Sequence, residues 1–217
     1  MREVIFVLDI GTSSTRLAIL DFEANCLWFN NRKYQPTYID EKKVEQDPED
    51  WFSAFDELML EAMMWTREKN HVLKVVTFTS QRSSVIPVNK NGEALRPALM
   101  WQDKRHQTIC DRIDLAIPDL QYLTGAMINT VCSGPKMVWI KEHEPDVYKQ
   151  AYKLFTPSEF INYRFTGKAK IDYTYATRSC LFDIRKLQWH EELLHSFGID
   201  RNKLSEVIKP GDIVGTF

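Results

Sequence analysis

The stretch Ile5-Phe6-Val7-Leu8-Asp9-Ile10-Gly11-Thr12-Ser13-Ser14-Thr15-Arg16-Leu17-Ala18-Ile19-Leu20-Asp21 decides how the whole chain is read. Two apolar, strand-like segments flank a tight polar turn that opens with an aspartate and a glycine. Gly11 can take backbone angles closed to other residues. Hydroxyls at Thr12, Ser13, Ser14 and Thr15 crowd the turn, and Arg16 closes it. A plain hairpin needs neither the aspartate nor the run of hydroxyls. A turn that wraps a metal-bound phosphate uses both. Its backbone N–H groups and hydroxyls donate to phosphate oxygens, and the carboxylate holds Mg²⁺ directly or through water.

Working outward, residues 3–9 and 16–21 read as strands joined by that turn, and a turn at Glu23-Ala24-Asn25 leads to a third, antiparallel strand from Cys26 to Lys33. A strong helix start follows. Asp47 is a good N-cap, Pro48 fits the first helical position, and Asp50 stands three residues after the cap as in a capping box. Trp51, Phe55, Leu58, Met59, Ala62 and Met63 then mark one helical face. The acidic cluster Glu45 to Asp50 reads as favourable charge at a helix N-terminus rather than as a metal site.

Leu73 to Thr79 is an apolar strand that runs into Ser80-Gln81-Arg82-Ser83-Ser84. Val85 to Val88 and Leu95 to Trp101, joined by Asn89-Lys90-Asn91-Gly92, read as a hairpin. Helices are expected to start near Asp103, Pro135, Pro145 and Thr156, and Asp172 to Asp183 reads as a loop and short strand. Trp189 to Phe197 reads as a short helix ended by Gly198, and Pro210-Gly211-Asp212 as a turn. The order β-β-β-α-β implies a mixed sheet flanked by helices. There is no GxGxxG after the first strand and no GxxxxGK[ST], so dinucleotide-fold and P-loop readings lose support.

The 217 residues are 44% hydrophobic and 27% charged, which suits an ordinary soluble globular protein. A net charge of −2 without a basic stripe argues against a nucleic-acid partner. The densest basic stretch, Lys104-Arg105-His106, reads as a solvated helix start. Four scattered cysteines, with no CxxC spacing, argue against a metal site or a disulfide framework. Met1-Arg2-Glu3 leads straight into a strand, and no apolar run approaches a membrane span, so a cytoplasmic chain with no membrane partner is expected.

Taken together the chain resembles the N-terminal domain of the FGGY carbohydrate kinases, the family of glycerol kinase and xylulokinase within the actin, Hsp70 and hexokinase superfamily. Five stretches carry the resemblance: Leu8 to Arg16; Val44 to Trp51; Gln81-Arg82 with Arg96-Pro97-Ala98 and Met100 to Arg105; Ser133 to Trp139; and Asp172 to Arg178 with Leu181-Phe182-Asp183. The superfamily shares the first. All five at these intervals are specific.

The resemblance implies an α/β, RNase-H-like domain over residues 1–217, with three antiparallel N-terminal strands, and a C-terminal ATP-binding domain outside this chain. It implies an ATP-dependent kinase for a small sugar or polyol, with ATP and Mg²⁺ as cofactors. Asp9 would help hold the metal; Gly11, Thr12, Ser13, Ser14 and Arg16 would meet the phosphates. Gln81, Arg82, Ser83, Trp101 and Asp103 would form the substrate side, with Asp103 equally explained as a helix cap. The family's catalytic base is expected beyond Phe217, so the chain alone is expected to be inactive. Asp212, in a Pro-Gly turn, is not taken as that base. Homodimers are common among such kinases. Ser83 and Val131 stand where glycerol kinase has a glutamate and a tyrosine, which points to a substrate larger than glycerol. The competing reading is a non-catalytic sugar-binding or regulatory module of the same fold.

Overall fold

A computed structural model describes residues 1–216. In chain order, β1 (Arg2–Ile10), β2 (Ser14–Leu20) and β3 (Cys26–Lys33) precede two short strands, β4 (Thr37–Tyr38) and β5 (Val44–Gln46), and helix α1 (Pro48–Glu68). Strand β6 (His71–Ser80) leads to the short β7 (Ile86–Val88) and β8 (Ala98–Leu99). Then come α2 (Gln107–Ala116), α3 (Leu120–Thr124), α4 (Ser133–His143), α5 (Pro145–Gln150), β9 (Lys153–Phe155) and α6 (Pro157–Thr166). The last elements are β10 (Lys170–Asp172), α7 (Tyr173–Ala176), β11 (Phe182–Asp183), β12 (Gln188–Trp189), α8 (Glu191–Phe197) and β13 (Glu206–Ile208). Single 3₁₀ turns cover Thr177–Ser179 and Arg201–Lys203.

The chain divides into two compact units. One holds Met1–Pro36 and Asp47–Gln81; the other holds Thr37–Gln46 and the chain from Arg82 onward. In the first unit the strands run in the order β3-β2-β1-β6, with β1 antiparallel to β2 and parallel to β6. This is the mixed sheet that the sequence implied. Alternation along β1 buries Val4, Phe6, Leu8 and Ile10 completely, and Leu17 and Ile19 of β2 join them. Each such side chain contributes about 2 kcal/mol of apolar burial. Helix α1 packs on this sheet. Asp47 caps it by accepting the Glu49 N–H at 3.0 Å, and Pro48 opens it. Its buried face is Trp51, Ala54, Phe55, Leu58, Ala62 and Thr66. Met63, expected on that face, is exposed, because the stripe drifts round the helix toward Thr66.

The second unit has short two- and three-stranded sheets, β4-β5-β8, β7-β9, β10-β13 and β11-β12, around a mainly helical core. The expected hairpin between residues 85 and 101 forms: Val85 and Leu99 exchange backbone hydrogen bonds at 2.9 and 3.0 Å, the Leu95 N–H donates to the Pro87 carbonyl at 2.9 Å, and the Asn89 N–H donates to the Glu93 carbonyl at 3.0 Å. Its arms also pair outward, with β9 and β5. The turn at Asn89–Gly92 is as expected, with Gly92 at φ +80°. Among the described residues no helix is long and apolar enough to cross a membrane.

Candidate functional site

The β1–β2 register places Asp9 directly opposite Arg16. An Arg16 guanidinium nitrogen donates to the Asp9 carboxylate at 2.7 Å, and both side chains stay partly exposed. The hairpin closes where the Gly11 N–H donates to the Ser14 carbonyl at 2.9 Å. Gly11 is not in the left-handed region that its type suggested. It is required for room: a Cβ there would stand 3.0 Å from the Ser14 carbonyl oxygen. At the tip, Thr12 is half-buried and Ser13 is exposed, whereas Ser14 and Thr15 point into the protein.

Two further residues brace the turn. The Tyr34 hydroxyl donates to the Gly11 carbonyl at 2.9 Å and lies 3.0 Å from the Thr15 hydroxyl, and the Tyr34 N–H donates to the Ser13 carbonyl at 3.1 Å. Burial pushes the Tyr34 phenol well above its ordinary range, so it stays protonated. Sequence reasoning missed Tyr34, which follows the third strand with no local signal. Gln81, expected on the substrate side, belongs to the turn. Its N–H donates to the Ile10 carbonyl at 2.7 Å and its amide oxygen accepts from the Thr12 hydroxyl at 3.2 Å. The parallel pairing of β1 with β6, Ile10 opposite Ser80, carries it there.

Arg82, Ser83, Trp101 and Asp103 all lie in the second unit. Arg82 is exposed, with its guanidinium carbon 5.6 Å from the centre of the Tyr175 ring. Ser83 is in the left-handed region at φ +70° and is 1% exposed. Its hydroxyl has no hydrogen-bond partner among the described residues. Trp101 is 38% exposed, and its N–H donates to the Ser84 hydroxyl at 3.0 Å.

Asp103 is fully buried. It accepts from the Val44 N–H at 2.8 Å and from the Arg105 side chain at 2.9 Å. Burial pushes its carboxyl up, but the His106 ring, 3.7 Å away, and hydrogen bonds from Arg105 and the Val44 N–H outweigh this and hold it at about 2. It does not cap α2, which starts at Gln107 with His106 as its cap residue.

Arg105 also pairs with Glu45 at 2.8 Å, and Arg96 joins Glu45 to Glu144 at 2.5 and 2.8 Å. The two guanidinium groups lie 5.0 and 5.9 Å from the Trp139 ring centre. Two expectations are corrected here. Arg105 and His106 are not a solvated helix start but buried members of this network. Glu45 belongs to β5, not to the N-terminus of α1, and it serves the arginines. Lys136, also fully buried, donates to the carbonyls of Thr130, Val131 and Cys132 at 2.5, 3.3 and 3.3 Å. Burial lowers its pKa to about 8. Asp212 accepts the Lys209 N–H at 3.0 Å within its turn. The base expected beyond Phe217 lies outside the described residues.

The family model for the N-terminal domain of the FGGY family of carbohydrate kinases matches residues 4–217. The chain belongs to the FGGY family. Among its FGGY relatives, the xylulose kinase of Lactococcus lactis subsp. lactis (strain IL1403) is 28% identical over 96% of this chain and 42% of its own length. The glycerol kinase of Thermococcus onnurineus (strain NA1) is 31% identical over 99% of this chain and 45% of its own length. The solved glycerol kinase of Plasmodium falciparum, with ADP, superposes with a TM-score of 0.92 at 25% identity, over 99% of this chain and 44% of that one. The gluconate kinase of Lactobacillus acidophilus shares the fold, with a TM-score of 0.91 at 22% identity, over 100% of this chain and 44% of that one. The chain therefore spans less than half the length of the curated relatives it matches.

Proposed function

We propose that this chain supplies the phosphate-binding and substrate-binding part of an ATP-dependent kinase for a sugar or polyol. The observation that carries the proposal is the Asp9–Arg16 pair set across the hairpin from a glycine-tight, hydroxyl-bearing tip. Phosphoryl transfer is mostly positioning and charge stabilisation, and this turn offers both. Ser13, and Thr12 once its hydroxyl turns from Gln81, donate to phosphate oxygens, and Arg16 adds positive charge. Asp9 is the metal-holding residue. No cluster of three or more His, Cys, Asp or Glu among the described residues is arranged to hold a metal. That fits Mg²⁺, which commonly binds through one or two carboxylates, water and the nucleotide's own phosphates. When bound, the ion supplies charge neutralisation on the β- and γ-phosphates.

Arg82 then hydrogen-bonds adjacent substrate hydroxyls, Trp101 covers the apolar edge of the carbon chain, and the unpaired Ser83 hydroxyl meets a further substrate oxygen. Asp103 acts as a positioning residue, since protein donors already occupy its carboxylate. The small side chains of Ser83 and Val131 suit a pentulose or a similar sugar better than glycerol. We place the reaction in the cytoplasm, where free thiols such as these four persist.

The test is phosphoryl transfer by the full gene product to tetritols, pentuloses and hexuloses. Asp9→Ala is expected to lower kcat by at least about 10²-fold with an unchanged circular-dichroism spectrum. A fully active Asp9→Ala protein would overturn the metal role. Sugar binding with no turnover of any substrate would favour the binding-module reading.

A further inference from the structure

Four cysteines scattered in sequence gave no disulfide pattern, yet two of them converge. Cys132, the residue before α4, and Cys180, which ends the 3₁₀ turn Thr177–Ser179, lie with their sulfurs 3.0 Å apart. Both are free thiols, 1% and 0% exposed. The contact is built by backbone: at Gly134 a Cβ would stand 2.3 Å from the Ser179 carbonyl oxygen, so only glycine lets these two segments approach so closely.

We propose that Cys132 and Cys180 form a site of reversible oxidation, closing to a disulfide in response to a small peroxide. A disulfide needs its sulfurs about 2.05 Å apart, so they must close by about 1 Å. The two thiols are already unequal. The hydrogen bond from Cys180 comes first, and with the charges of Lys136 and Arg178 it outweighs burial and lowers the Cys132 thiol below its ordinary range. The same hydrogen bond and burial push Cys180 up. Cys132 also stands at the N-terminus of an eleven-residue helix, where a thiolate is favoured. Cys110, pushed up to about 12 by burial, is no competitor as nucleophile.

The chemistry balances without further reagents. The Cys132 thiol gives up its proton and the thiolate attacks one oxygen of hydrogen peroxide; the O–O bond breaks, a sulfenic acid forms, and the departing hydroxide takes up that proton and leaves as water. Cys180 then attacks that sulfur and gives its proton to the departing hydroxyl. The S–S bond forms, the S–O bond breaks and a second water leaves. Two thiols are oxidised by two electrons, and the peroxide is reduced. The bond would tie the Val131 loop to the segment that carries Tyr175, the ring under Arg82.

The experiment treats the chain with hydrogen peroxide, titrates thiols after denaturation and maps the peptides. Of four thiols, two should be lost, with the Cys132 and Cys180 peptides linked and both thiols restored by dithiothreitol. Cys180→Ser should stop at a Cys132 sulfenic acid that dimedone captures. Cys26→Ser and Cys110→Ser should leave the link intact. A protein that oxidises at exposed Cys26 while Cys132 and Cys180 stay unlinked overturns the proposal. So does a peroxide-treated chain that keeps all four thiols. Because the mapping is made on the unsubstituted chain, a poorly folding variant does not blunt it.

Discussion

Asp103 holds a negative charge that no water reaches, so its partners must carry the whole cost of its burial. Asp103→Asn takes away the charge that pairs with Arg105 and is expected to cost about 3 kcal/mol of stability in urea denaturation. A variant with unchanged stability and lost sugar binding would make Asp103 a substrate contact instead. The folded carboxyl, near 2, lies below its ordinary value. Its stabilisation is therefore complete above the ordinary carboxylate range and is lost as pH falls through the folded value. Tyr34 is the same lesson in a neutral group. Tyr34→Phe leaves the Gly11 carbonyl and the Thr15 hydroxyl without that partner, and it should cost about 1 kcal/mol and weaken nucleotide binding by the full gene product. If the unfolding midpoint and nucleotide affinity both stay put, the brace is decorative. The turn itself was legible in sequence because an aspartate and a run of hydroxyls are odd for a hairpin. Tyr34 and Gln81 were not legible in these roles, because strand pairing alone brings them to the turn.

At the scale of elements, helix starts were the most legible feature, at Pro48, Pro145 and Pro157, although the capping box at α6 was not read. Thr156 and Glu159 form a capping box at α6, where the Glu159 carboxylate accepts from the Thr156 N–H and hydroxyl, each at 2.8 Å. Glu159 is also buried, and burial raises its pKa to about 7 against hydrogen bonds from Ser205 and Thr156. Between its ordinary value and about 7, the folded chain holds a proton that the unfolded chain has released. Stability from this group is thus present at low pH and falls as pH rises through that window, by at most about 3 kcal/mol. Glutamine keeps the box without the charge. Glu159→Gln should therefore match the wild type near pH 5 and exceed it in unfolding free energy near pH 8. An advantage that is equal at both pH values would rule out titration of Glu159 as its source. A cap alone did not make an element legible, as Asp172 shows at the start of α7, where it accepts the Thr174 N–H at 2.7 Å. Helix α7 follows Asp172 through Tyr, Thr and Tyr, which favour strands, and the packing of buried Tyr175 and Ala176 overrides that preference. The apolar arms from Val85 to Trp101 do meet as a hairpin, but pattern shows that a strand wants partners, not which ones, so their further pairing with β9 and β5 was not legible.

Over the whole molecule, the five family stretches do different work from one another. The first builds the β1–β2 turn for which a phosphate-binding role is proposed, whereas Glu45, Arg96, Arg105 and Trp139, drawn from three others, lock one another in an ion-pair and ring network. Sequence pattern alone could not separate binding from support, since both call for arginine, glutamate and tryptophan. The sheet of the first unit raises a different issue. Among the described residues β6 is an edge strand, ten residues long and paired only with β1. Its other side presents backbone donors and acceptors, and Val75 on it is 44% exposed. A long edge with exposed β-branched residues is a template for another strand, and proteins commonly blunt such edges with lysine. The 217-residue chain should therefore associate with itself as concentration rises, and Val75→Lys should shift it toward monomer in sedimentation velocity. The edge and not general apolar surface is responsible if Leu60→Lys, at a 65% exposed position on α1, leaves the association unchanged. Equal effects of both lysines would instead point to non-specific contact, and a wild-type chain that stays monomeric throughout would show that β6 is protected without added charge.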